Sequence, residues 1–237
     1  MKPTIGIILD WQKEGDFSSH PHYALRTHYF EAIQKAGGLP VAIPFEEKLT
    51  DHYLQHIDGI LIPGGFFASP DEWYISDEET IHPASDRSNF EYDFIRKAVE
   101  MDMPFLGICA GMQNLCGVMG GKLHKNVHTA YNTEVNHLNE KPANETAHSI
   151  QIETDSLLHK IIQNNVLDVN SAHTEAVAEV PNTIKITATS PEGIIEAVEM
   201  PNKKFVLGIQ WHPEFFTEED SPHFQIFKSF VEACNGR

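Results

Sequence analysis

A chain of 237 residues with 41% hydrophobic and 22% charged residues is long enough to bury the core of one large α/β domain and reads as globular. Its formal net charge of −17 speaks against nucleic acid, whose phosphates need a basic face; otherwise an acidic balance reflects a solvated surface. No apolar run approaches a membrane span, no secretory signal precedes the first strand-like segment, and the three cysteines lack C-x-x-C spacing, so a disulfide framework and a zinc set are both disfavoured and a reducing cytoplasm is the expected compartment.

Residues 4–10 (T-I-G-I-I-L-D) are a β-branched run that predicts a first central strand. Residues 11–23 are polar and predict a loop. Leu25, Tyr29, Ala32, Ile33 and Ala36 then mark one helical face, stopped by Gly37-Gly38. Residues 41–43 predict a second strand closed by Pro44, residues 49–57 a short amphipathic segment, and residues 59–62 a third strand running into Pro63-Gly64-Gly65. This β-α-β-α-β rhythm predicts parallel strands with helices on both faces. Ligands of such sheets bind in the loops at the C-terminal strand ends. Residues 66–86 form an acidic stretch with Trp73 and Tyr74, too long for a simple connector and so functional or mobile. Ser88-x-x-Glu91 has the form of a capping box and predicts the start of a helix with Phe90, Phe94, Ala98 and Val99 facing inward.

Residues 104–108 are a short apolar run that suits a buried strand, and Met112, Leu115, Cys116 and Met119 recur at helical steps just beyond. Cys109 therefore sits where a strand turns sharply into a helix, flanked by Gly107 and Gly111. G-x-C-x-G is the cysteine form of a nucleophile elbow, in which small neighbours permit a strained turn. A helix N-terminus beneath the sulfur favours the thiolate, the form that attacks. A buried structural cysteine in a glycine-rich turn is the competing reading.

After Gly120-Gly121 come short strand-like pieces at residues 149–152, 167–169, 184–189 and 194–198, which predict antiparallel or mixed additions to the sheet. Residues 205–210 (F-V-L-G-I-Q) predict another buried strand, emptying into Trp211-His212-Pro213-Glu214. Ser221-Pro222 can cap a final helix with Phe224, Phe227, Phe230 and Val231 on its inner face. No repeat, low-complexity tract or linker interrupts the chain, so residues 1–237 are read as a single domain.

A cysteine nucleophile needs a base, a group to orient the base, and donors for the oxyanion. His212 lies just past a strand end with Glu214 two residues on, and residues at i and i+2 of an extended chain point the same way. Glu214 can then hold one ring nitrogen of His212 while the other faces Cys109. The N–H of Ala110, next after the cysteine, offers one oxyanion donor, and the Gly64-Gly65 loop can offer a second, unless it is an ordinary β-turn. The pairs His20/His22 and His124/His128 lack a Cys or carboxylate at ligand spacing. Neither a metal nor an organic cofactor is called for.

P-G-G, G-I-C-A-G-M-Q…G-G, V-N-S-A-H, G-I-I-E-A and G-I-Q-W-H-P-E, in this order, resemble the class I (triad-type) glutamine amidotransferases. Among them the chain is most similar to the stand-alone γ-glutamyl hydrolases, such as the γ-glutamyl-γ-aminobutyrate hydrolase family. The resemblance implies a flavodoxin-like three-layer sandwich, with a mostly parallel central sheet and a small antiparallel addition. It implies Cys109 as nucleophile, His212 as general base and acid, and Glu214 as its orienter. It also implies Gly65 and Ala110 N–H groups as the oxyanion hole, and Gln113, Asn170, Ser171 and His173 at the glutamyl head group. The expected reaction is hydrolysis of a small γ-glutamyl amide through a thioester, needing no partner, although a homodimer is compatible with it. Two rivals remain: a glutaminase subunit handing ammonia to a synthase partner, and a silent binding module on the same fold.

The chain departs from that family pattern at several places. Ala110 replaces an arginine at the elbow, and Phe66-Phe67 follows P-G-G where an acidic residue is usual. Arg87-Ser88 stands for Arg-Asp, and Glu175 stands where a glutamine often follows the N-S-x-H histidine. All lie where substrate is chosen, so the amine released is the open question.

Overall fold

The central strands are short apolar runs buried almost throughout, so the sheet has two apolar faces, and helices cover both. A computed structural model describes residues 1–65, 69–75, 86–133, 135–138 and 141–236. The first half runs β1 (Thr4–Ile8), β2 (Asp10–Gln12), β3 (His22–Ala24), α1 (Thr27–Lys35), β4 (Leu39–Ile43), α2 (Thr50–His56), β5 (Gly59–Ile62), α3 (Asp86–Glu100), β6 (Phe105–Ile108) and α4 (Ala110–Val118). There follow β7 (Lys122–His124), α5 (Val127–Tyr131), β8 (His148–Ile152), α6 (Leu157–Ile162), β9 (Val166–Val169), β10 (Ala176–Glu179), β11 (Lys185–Thr189), β12 (Ile195–Glu199), β13 (Val206–Ile209) and α7 (Pro222–Cys234).

Nine strands form one sheet in the order β4-β1-β5-β6-β13-β12-β11-β8-β9. From β4 to β13 all neighbours are parallel; from β13 onward they are antiparallel. A separate β7–β10 ladder is also antiparallel. On one face Ile5 and Ile7 of β1 pack with Tyr29, Ala32 and Ile33 of α1 and the phenylalanines of α7. On the other, Ile8, Ile60 and Ile62 pack with α3 and with Met112 and Leu115 of α4. This is the expected three-layer α/β sandwich, of flavodoxin-like type, with helices on both faces.

The helix ends follow their sequence signals unevenly. Gly37 takes φ 98° after α1; its N–H donates to Gln34 O, and that of Gly38 to Ile33 O. That is a Schellman stop. Ser221 precedes Pro222 at the start of α7, but its side chain makes no capping bond. The proposed capping box at Ser88 is corrected: α3 already begins at Asp86, and the Glu91 carboxylate reaches Arg87 and Asn114 instead. Residues 11, 12, 22 and 23, read as loop, belong to the β2–β3 hairpin, which also takes Asp10 from the end of the expected first strand. Their exposed, polar sequences carry no alternation from which a strand could be read. Phe66-Phe67 and much of the acidic stretch up to Asp86 lie outside the described residues. Among the described residues, no helix is long and apolar enough to cross a membrane.

Candidate active site

Strand β6 lies between β5 and β13, and the loops leaving these three strands carry Gly64-Gly65, Cys109 and His212. Parallel register sets their level: Ile62 faces Gly107, and Ile108 faces Ile209. The Cys109 N–H donates to Ile209 O at 2.7 Å, tying the elbow to the strand that delivers His212. Cys109 has φ 54° and ψ −108°, a costly conformation for a residue with a β-carbon. It caps α4, whose Met112 and Gln113 N–H groups bond the Cys109 carbonyl. A β-carbon on Gly111 would collide with the Ile62 carbonyl, so the elbow needs glycine to dock against β5.

Cys109 is 7% exposed and His212 3%. A β-carbon on Gly64 would lie 2.7 Å from His212 Cε1 and 3.2 Å from Cys109 Cβ, so cysteine and imidazole meet directly over this glycine. His212 Nδ1 is 2.8 Å from Glu214 Oε1, both buried. Burial alone would lower the His212 pKa, but the charges of Glu214 and Cys109 and their hydrogen bonds overcome it and raise it to about 10. Burial pushes Glu214 the other way, yet His212 holds its carboxyl below the usual range. Glu214 thus favours the protonated ring. Asn170 fixes the backbone of this group: its Oδ1 accepts the His212 N–H at 2.8 Å and its Nδ2 donates to His212 O at 3.0 Å.

Tyr29, which pattern reading left in the core, also belongs here, as does Arg87. The Tyr29 hydroxyl accepts the Gly64 N–H at 3.1 Å and an Arg26 N–H at 3.2 Å, and it helps keep Glu214 ionised. The Gly64 N–H is thereby occupied, whereas neither Gly65 nor Ala110 donates its N–H to an acceptor among the described residues. Arg87 donates to Pro63 O at 2.5 Å and to Glu91 at 2.7 Å, and Asn114 of α4 also donates to Glu91. A buried chain of bonds thus joins the glycine loop to the elbow helix. Nothing local announces it, because Glu91 stands at cap spacing from Ser88 and Asn114 reads as an ordinary helix residue.

Cys109, Gly65 and Ala172 border two cavities. The larger, about 500 Å³, is lined by Asp10, Gln12, Leu25 and Arg26. The smaller, about 70 Å³, is lined by Ala110, Gln113, His173 and Glu175. Gln113 donates to Glu175 O at 3.0 Å and to Gln210 Oε1 at 3.1 Å. His173 donates through Nδ1 to Glu175 O at 2.8 Å, and burial lowers its pKa to about 3. The Glu175 carboxylate accepts from Tyr74 at 2.8 Å; burial raises its pKa to about 7, against the pull of Tyr74 and Lys125. Asn170 and Ser171 stand behind the wall: Asn170 holds His212, and Ser171 Oγ donates to His137 O at 2.8 Å. Of the histidine pairs, His20/His22 lies at the β2–β3 hairpin and His124/His128 spans the end of β7 and α5.

Comparison with known proteins gives the family and the fold. The model of the Peptidase C26 family matches residues 3–214. The chain is 34% identical to a glutamine amidotransferase-like protein of Rickettsia prowazekii, over 98% of each chain. It is 31% identical to the γ-glutamyl-γ-aminobutyrate hydrolase of Escherichia coli, over 98% of this chain and 93% of that one. In fold it matches a GMP synthase subunit of Thermoplasma acidophilum with TM-score 0.65 and 17% identity, covering 99% of this chain and 94% of that one. The glutaminase domain of CTPS from Trypanosoma brucei gives TM-score 0.65 and 18% identity, with 98% and 93% covered. The chain belongs to the Peptidase C26 family, glutamine-amidotransferase-like hydrolases of the class I superfamily.

Proposed function

We propose that the protein hydrolyses the γ-glutamyl amide bond of a small γ-glutamyl compound, releasing glutamate and an amine. The observation that carries this reading is the buried His212 ring, which Glu214 holds at Nδ1 and Cys109 meets over Gly64. With Nδ1 occupied, Nε2 serves the sulfur. The Cys109 thiolate attacks the γ-carbonyl, and the oxyanion is received by the N–H groups of Gly65 and Ala110. His212 protonates the departing amine, then takes a proton from the water that opens the γ-glutamyl thioester and restores the thiol.

The two cavities suit the two halves of such a substrate. The small polar one, with Gln113, His173 and Glu175, fits the glutamyl head group, and the Glu175 carboxylate can pair with its α-ammonium. The larger one, with Asp10 and Arg26, receives the leaving amine. Ala110 in place of a longer side chain leaves the head-group cavity open beside the elbow.

Cys109→Ala is expected to abolish release of glutamate from γ-glutamyl amides while the circular dichroism and thermal transition stay those of the parent. Turnover close to wild type would refute the assignment. Activity of the purified parent with no other protein present separates a free-standing hydrolase from a subunit that works only within a synthase.

A further inference from the structure

We propose that His137, His148 and Glu196 form a buried binding site for a divalent transition-metal cation of the zinc class, structural rather than catalytic. The strand between β8 and β12 is β11, which stops at Thr189 opposite Gln151. Past that point His148, the first residue of β8, reaches Glu196 of β12 at 2.9 Å. His137 comes in from the loop at residues 135–138, its ring centroid 4.9 Å from that of His148. One ligand atom from each of the three can be taken so that all lie within 4.8 Å of one another. His137 and Glu196 are 0% and 1% exposed. Two imidazoles and a carboxylate are a donor set suited to zinc, whose tetrahedral Zn–N bonds of about 2.0–2.1 Å place donors roughly 3.3 Å apart. Side-chain rotation supplies the remaining contraction.

The hydrogen bonds around the cluster leave lone pairs and no donors. Ser171 Oγ gives its proton to His137 O at 2.8 Å and so accepts from His137 Nδ1 at 3.3 Å, which leaves His137 Nε2 bare. His148 Nε2 lies 2.9 Å from Glu196 Oε1, and in the neutral tautomer that donates there Nδ1 is bare. Beside them His173, its centroid 4.9 Å from that of His137, gives its Nδ1 proton to Glu175 O and leaves Nε2 bare. These three nitrogens and Glu196 Oε2 are buried without a hydrogen-bond partner among the described residues. Four unmatched acceptors cost several kcal/mol in an apolar interior, and one water brings only two protons to them. A cation satisfies acceptors alone.

None of the three ligands borders either cavity at Cys109, so the ion takes no part in the hydrolysis. It would act on the wall instead. The His173 N–H donates to His137 O at 3.0 Å, and Ala172 beside it faces Cys109. Holding His137 against β8 and β12 therefore holds the segment that shapes the substrate pocket. This inference does not depend on the proposed reaction.

The test is zinc uptake by the purified full chain after stripping with a strong chelator, read by elemental analysis after gel filtration and by thermal unfolding. One zinc per chain is expected, with the transition raised by about 5–10 °C at free zinc a hundredfold above its Kd. His148→Gln and Glu196→Gln should each weaken binding by at least about 100-fold. The double substitution His20→Ala/His22→Ala should leave it unchanged. Cobalt in the stripped parent should show the ligand-field bands of a four-coordinate ion, a reading that holds even if both variants fail to fold. No retained zinc and no such bands would overturn the proposal, as would equal uptake by the folded variants, which would assign the metal to surface histidines.

Discussion

Strands β5, β6 and β13 end in three short loops that bring together Gly65, Cys109 and His212, while β8, β11 and β12 supply no reacting group and bury unmatched polar atoms instead. The parallel half encodes its chemistry locally. A strand, a glycine and a nucleophile follow one another in sequence, and parallel register brings the pieces to one level. The antiparallel half encodes its contribution at a distance, through His137, His148, His173 and Glu196, which lie on four separate segments of the chain. On the proposed reading, reaction type is carried by strand ends, whereas substrate choice and wall stability are carried by contacts between segments far apart in the chain.

The sharpest way to break the parallel half is Gly64→Ala. Its β-carbon would sit 2.7 Å from His212 Cε1, so the imidazole must shift, and a displacement of that order costs about 10² in kcat. Stopped assays should show the loss in kcat with thermal stability little changed. An unaltered kcat would mean that cysteine and imidazole do not act as a pair.

Glu91→Ala probes what holds the glycine loop and the elbow helix in step. It removes the nearer carboxylate from the buried Arg87 guanidinium, a change that typically costs about 3–5 kcal/mol. Urea unfolding is the measurement, and a loss under about 1 kcal/mol would show that the bonds to Pro63 and Asn114 are incidental.

The smallest effect belongs to the wall, through Glu175. Its pKa is raised from 4.5 to about 7, so the folded chain keeps a proton that the unfolded chain has lost. The stability from this group is complete below pH 4.5 and disappears as pH rises through about 7. A substrate ammonium favours the ionised form, so KM should fall as pH rises through about 7 while kcat follows other groups. Glu175→Gln should flatten that KM profile and raise KM several-fold at neutral pH. A profile that keeps its shape in the variant would remove Glu175 from the head-group site.

How far the sequence could be read follows the same division. The first parallel strands, the α1 stop at Gly37-Gly38, the strand-elbow-helix around Cys109 and the His212-Pro213-Glu214 turn were all legible, because each is fixed by neighbours in the chain. Short exposed strands such as residues 10–12 and 22–24 carried no periodic signal. Helix α6, L-L-H-K-I-I, is too short and too uniformly apolar to show a face. Glu91 looked like a cap because cap spacing is local, and its bonds to Arg87 and Asn114 belong to tertiary packing. Tyr29 looked like core because a buried tyrosine and a tyrosine bonded to Gly64 have the same pattern along a helix.

The central claim is that Cys109 carries the glutamyl group during turnover. Acid-quenched mass spectrometry of the parent protein, mixed with an excess of a γ-glutamyl amide and digested, tests it most directly. A γ-glutamyl thioester on the peptide containing Cys109, absent from Cys109→Ala and from the peptide carrying Cys234, is the expected result. Steady release of glutamate with Cys109 unmodified, or with the adduct on another residue, would contradict the account.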